Sequence, residues 1–143
     1  MTKVTMERLD ETFHFRGWNS RGGTIDLDSV GDREGEPRGV GPMESLLFAL
    51  GGCSGIDVVT ILTRGRQKVR TFTMELEGER PADKVAAPYF AIRAHYDLTG
   101  ELEPEKVLRA VRLSHEKYCS VVKSLEHKTK ITYSCTVNGE RYE

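Results

Sequence analysis

Three cysteines and four histidines are the side chains with the widest chemical reach in this 143-residue chain. Cys53 lies in Gly51-Gly52-Cys53-Ser54-Gly55, inside a long apolar stretch, with Glu44 and Asp57 as the ionisable groups nearby. Cys119 lies in Glu116-Lys117-Tyr118-Cys119-Ser120, with Lys117 and Lys123 adding positive charge, and Cys135 alternates with Ile131 and Tyr133. A thiol in such a setting is either a small buried hydrophobe or a nucleophile and redox centre. No pair has CxxC spacing, which excludes a thioredoxin-type redox pair and a zinc ribbon. His14, His95, His115 and His127 form no HxH or HxxxH, so no metal site and no cofactor is expected from spacing. A Cys–His nucleophile for acyl transfer could be assembled only in three dimensions, and no oxyanion loop accompanies it. The glycine-rich segment 30–41 lacks the lysine of a phosphate-binding loop, and its Arg33 and Arg38 read as loop charges.

The elements that must position these residues follow from periodicity. Val4 and Met6, Phe13 and Phe15, and Ile25 and Leu27 mark three short strands, with a turn over Gly17–Gly23. After the loop, Pro42 opens a helix to about Arg66 that is apolar on every side, the pattern of a buried central helix. Gly51, Gly52 and Gly55 each cost about 1 kcal/mol against alanine in a helix, so something must approach this backbone closely. Glu44, nine residues before Cys53, falls about two and a half turns away on the opposite side and can organise only the preceding loop. Phe72, Met74 and Leu76 mark a strand, then a turn at 78–88, then a second strand with Phe90, Ile92, Ala94, Tyr96 and Leu98 on one face. Pro104 starts a second helix, a short third follows Cys119, and Ile131 to Val137 form a last strand. The order βββ-α-ββ-αα-β predicts an α+β fold with mainly antiparallel sheets, in one domain over residues 1–143.

Composition bounds the function. Lys plus Arg number 21 against 22 acidic residues, a net charge of −1 that exerts no general pull on nucleic acid or anionic lipid. The longest uncharged run, Ser45 to Ile56, is shorter than the ~18–20 apolar residues of a membrane span. The N-terminus has no apolar run or cleavage site, so a cytoplasmic protein with reduced thiols is expected.

Pro42-Met43-Glu44-Ser45-Leu46-Leu47, Gly51-Gly52-Cys53-Ser54 and Glu116-Lys117-Tyr118-Cys119-Ser120 together resemble the OsmC/Ohr family of osmotically induced and organic-hydroperoxide-resistance proteins. The resemblance covers nearly the whole chain and is nearest to a less characterised branch. It implies an intertwined homodimer with the long helices packed together, and a thiol peroxidase of oxidative-stress defence. Cys53 resembles the peroxidatic cysteine, Cys119 the resolving cysteine, and Glu44 the glutamate that holds a catalytic arginine. Arg33 fits the spacing of that arginine in the OsmC branch; Arg8 or Arg16 would serve if it comes from the N-terminal hairpin, and Arg38 is a further candidate.

The chemistry is consistent with those roles. A free thiol is only about 3% thiolate at neutral pH, and an arginine that lowered its pKa to about 6 would make it about 90% thiolate. Apolar walls from Leu46, Leu50 and Ile56 suit an organic hydroperoxide better than hydrogen peroxide. The thiolate would take one oxygen, become a sulfenate and be captured by the second thiol, and a dithiol reductant of unspecified identity would reopen the disulfide. Two other classes compete: a non-catalytic binding or structural protein, and a Cys-dependent hydrolase.

Overall fold

The computed structural model describes residues 1–29 and 35–143, which form two compact units, Met1–Leu46 and Leu47–Glu143. In the first, β1 (Val4–Arg8), β2 (Phe15–Asn19) and β3 (Thr24–Leu27) make an antiparallel meander. The turn before β2 is set by Asp10, whose Oδ1 accepts the backbone N–H of Thr12 at 2.9 Å and of His14 at 3.3 Å, leaving Phe13 in the connecting bend rather than in a strand. Gly17 pairs with Met6 and Ile25, so the next turn is narrower than its glycines suggest. It begins at Asn19, whose Oδ1 accepts the N–H groups of Arg21 at 3.0 Å and Gly23 at 2.8 Å.

Beyond β3, Val40 returns beside Leu27 through a parallel bridge. Gly39 is obligatory there, because a Cβ would sit 2.3 Å from the Asp26 carbonyl oxygen. The chain then enters α1 (Pro42–Arg64) through a capping arrangement: Pro42 is the first helical residue and Glu44 Oε1 accepts the Gly41 N–H at 2.8 Å.

In the second unit α1 continues to Arg64, and Arg66 ends it in the left-handed region at φ 59°. Its buried side carries Leu50, Gly51, Ser54, Gly55, Val58 and Leu62. The glycines here permit close approach to a sheet: a Cβ on Gly51 would lie 3.0 Å from Leu76 Cδ1, and one on Gly55 3.1 Å from Met74 Cε. Burial on every side is not reached within one chain, since Phe48, Ile56 and Val59 are exposed. The uncharged run also understates this helix, which contains an 18-residue stretch of mean hydropathy 1.8, one third of it buried.

The second sheet runs β4 (Lys68–Glu79), β5 (Ala91–Glu101), β6 (Lys130–Val137), β7 (Glu140–Tyr142). All neighbours are antiparallel except β5 and β6, which are parallel because a helical crossover joins them. That crossover consists of α2 (Pro104–Leu113), a π-helical turn over Ser114–Tyr118, and α3 (Ser120–Leu125). Alternation on β5 buries Ile92, Ala94, Tyr96 and Leu98 on one face, as the sequence pattern predicts, with Val107 and Val111 of α2 also in the core. The sequence reading omits β7, which follows a tight turn at Asn138 and Gly139, both at positive φ. The α+β class, the antiparallel sheets and the long helix are as expected.

Candidate functional site

Cys53 and Asp57 stand one turn apart on α1, and therefore share a side of the helix. Cys119 reaches them from the crossover. The π turn closes with the Cys119 N–H donating to the Ser114 carbonyl at 2.8 Å, after which Cys119 turns extended and caps α3. Its Sγ accepts the Val122 N–H at 3.4 Å. The two sulfurs and a carboxylate oxygen of Asp57 all lie within 4.8 Å of one another. The pair absent from the sequence spacing is thus assembled in space, with both thiols free.

The two thiols have different environments. Cys53 is partly exposed, whereas Cys119 is wholly buried. Burial pushes the Cys119 thiol up to about 11, and the neighbouring Cys53 adds to the rise, against a smaller downward pull from the Val122 N–H. The backbone N–H groups of Val122 and Val121 at the start of α3 favour a thiolate, but desolvation outweighs them. Cys135 is fully buried in β6 and is pushed to about 11 by burial alone, in keeping with its reading as core.

Two ties hold the π turn against α1. Ser114 Oγ donates to Asp57 Oδ2 at 2.8 Å. The next residue, His115, has Nε2 2.7 Å from the Tyr96 hydroxyl, which donates to Ser54 Oγ at 2.8 Å, while Ser54 donates to the Leu50 carbonyl at 2.8 Å. The Tyr96 proton is committed to Ser54, so His115 must donate from Nε2 and is the neutral Nε2–H tautomer. Burial agrees, pushing His115 down to about 4 and Tyr96 well above the usual phenol range. Ser54, Tyr96 and Ser114 were not singled out for chemistry by sequence; His115 was weighed only as one of four scattered histidines, and Asp57, four residues after Cys53, carried a local signal.

Beside Asp57 a cavity of about 520 Å³ opens, lined by Ile61, Leu113 and Tyr118 with Arg64 and Arg109 among them. The other expected site residues lie in the first unit. Glu44 caps α1 as described, Arg16 Nε donates to Asp26 Oδ1 at 2.8 Å, Arg8 donates to the Thr12 carbonyl at 3.0 Å, and the Arg38 N–H donates to Asp28 Oδ2 at 2.9 Å. Arg33 lies outside the described residues.

Residues 34–134, which contain both cysteines of this site, match the family model described as OsmC-like protein. The chain belongs to the OsmC-like family. This OsmC-like chain is 41% identical over 129 residues to Protein YhfA of Escherichia coli K12, covering 89% of this chain and 92% of that one. Among solved structures, a hypothetical protein from Aquifex aeolicus VF5 is similar at a TM-score of 0.81 and 33% identity, covering 96% of this chain and 98% of that one. An organic hydroperoxide resistance protein OsmC from Legionella pneumophila shares the fold at a TM-score of 0.70 and 16% identity, over 96% and 97% of the two chains.

Proposed function

We propose that this OsmC-like protein is a thiol-dependent peroxidase that reduces organic hydroperoxides with Cys53 as the peroxidatic and Cys119 as the resolving cysteine, in oxidative-stress defence. The observation that carries this reading is the placement of a partly exposed thiol within 4.8 Å of a buried one, both reduced. The name of the Legionella pneumophila structure, an organic hydroperoxide resistance protein, supports the substrate class.

The Cys53 thiolate attacks the outer peroxide oxygen; the O–O bond breaks, the alkoxide leaves as the alcohol after protonation, and Cys53 becomes a sulfenic acid. Cys119 then attacks that sulfur, water leaves, and a Cys53–Cys119 disulfide forms, so one hydroperoxide consumes two thiols. An external dithiol reduces the disulfide and is itself oxidised to a disulfide. The cavity beside Asp57, apolar with two guanidinium groups, suits an organic hydroperoxide that also carries a polar end. Arg33 is the proposed cation for the thiolate and Glu44 the proposed residue that would position it, with Arg38, Arg8 and Arg16 as the other candidates.

The working form is a homodimer. Phe48, Gly52, Ile56 and Val59 make an exposed stripe along α1, and a second copy of this helix would cover it. Three unpaired cysteines suit the reducing cytoplasm. The test is to add one equivalent of cumene hydroperoxide to reduced protein and count thiols. Loss of two thiols with an intramolecular Cys53–Cys119 disulfide is expected; unchanged thiols would overturn the reading.

A further inference from the structure

Cys53, Asp57 and Cys119 present three ligand atoms of the kind that bind thiolate-preferring divalent cations. A zinc ion with two sulfur ligands near 2.3 Å and an oxygen near 2.0 Å requires ligand atoms about 3.5–3.8 Å apart at tetrahedral angles. The three atoms here lie within 4.8 Å of one another, so closing each contact by at most about 1.3 Å completes the site. Cys53 and Asp57 are only partly buried and sit on successive turns, which leaves their side chains room for that adjustment. The outer shell is already built. Ser114 holds the Asp57 carboxylate through Oδ2 at 2.8 Å, and the same π turn fixes Cys119 through the Ser114 carbonyl. One hard oxygen ligand is too few for Ca²⁺ or Mg²⁺, which take six or more, largely from oxygen. Three protein ligands leave the fourth position to water.

We infer that the Cys53–Asp57–Cys119 cluster is a zinc-class binding site, and that the bound ion withholds both thiols from peroxide. The regulatory part rests on the peroxidase reading above; the binding part does not. Metal and oxidant would compete for the same pair of sulfurs, since a disulfide cannot ligate the ion and a coordinated thiolate must leave it to react. An occupied site is a protected resting state, and its disulfide form releases metal.

The binding test uses reduced, metal-free protein and no peroxide. Co²⁺ should give thiolate-to-cobalt charge-transfer absorption, and Zn²⁺ should bind one per chain in competition with a chromophoric chelator. Cys53→Ser and Cys119→Ser should each lose the charge-transfer band or most of it. Asp57→Asn should weaken Zn²⁺ by at least the roughly 10–100-fold expected for a disturbed outer shell, and Ser114→Ala by an amount within that range. Cys135→Ser should leave stoichiometry and affinity unchanged, with unaltered circular dichroism as the check on folding in every variant. A missing band, a stoichiometry near zero, or equal affinity in wild type and Asp57→Asn overturns the site. With one equivalent of Zn²⁺ bound, thiol loss to cumene hydroperoxide should slow at least tenfold and recover with chelator, an order-of-magnitude expectation for coordinated thiolates. Unslowed thiol loss with zinc still bound overturns the regulation, and disulfide formation in metal-free protein that binds no Zn²⁺ overturns the site alone. Zinc binding without any reaction of the metal-free thiols overturns the peroxidase reading and the regulation, and leaves the site supported.

Discussion

His115 should make the fold sensitive to mild acid. It is 5% exposed, faces the hydroxyl of Tyr96 and the ring of Tyr133 at 4.7 Å, and burial holds its folded-state pKa near 4 against an ordinary value of 6.5. Because the folded value is depressed, the unfolded chain takes the proton first as pH falls. The contribution to stability is therefore whole above about pH 6.5 and is lost progressively down to about pH 4. At about 1.4 kcal/mol per pH unit, the full loss is about 3 kcal/mol, of which about 2 kcal/mol falls between about pH 7.5 and 5. The comparison is His115→Gln, whose amide can still donate to the Tyr96 oxygen but does not titrate. Urea unfolding of both proteins, reduced and at equal concentration, cancels the common titration of the carboxylates. Wild type should lose about 2 kcal/mol more than His115→Gln over that range, close to 1 M in the urea midpoint. A gap between the two that stays constant with pH would refute the buried neutral imidazole and the tautomer assigned to it.

The cysteines should divide the reaction unequally. Cys53→Ser should consume no hydroperoxide, Cys119→Ser should consume about one equivalent and accumulate a trappable sulfenic acid, and Cys135→Ser should turn over normally. Sulfenate trapped in Cys53→Ser but not in Cys119→Ser would reverse the roles. A Cβ on Gly52 would meet no atom within 4 Å, so on an open helix surface Gly52→Ala should stabilise by about 1 kcal/mol and raise Tm by several degrees. With a second copy packed there, sedimentation should instead shift from dimer toward monomer, and a stabilised protein of unchanged sedimentation would refute the dimer contact. Iodoacetamide alkylation of Cys53 near neutral pH should slow in Arg33→Ala and change little in Arg38→Ala or Arg16→Ala. A fall in Arg16→Ala alone would move the cation to the N-terminal hairpin.

Local patterns carried most of the elements. The Gly41-Pro42-Met43-Glu44 entry to α1, the alternation on β5 and the proline at the start of α2 are decided by residues within a few positions of one another. Cys53 was visible for the same reason, since glycines in a helix interior need a local cause, here Leu76 and Met74 of β4. β7 carried a signal too, in Asn138-Gly139, but its three residues are too few for periodicity to register. The parallel pairing of β5 with β6, by contrast, depends on where the crossover lands and has no local signature.

The site itself divides along the same line. Sequence alone supplied both cysteines and excluded Cys135, because residue type and alternation suffice for that. Only the tertiary structure joined Cys119 to Cys53 and Asp57, made Ser114 and His115 the ties to α1, and set burial above helix capping at the Cys119 thiol. Those outcomes depend on distances and desolvation between segments far apart in the chain, and neither quantity is encoded by spacing along it.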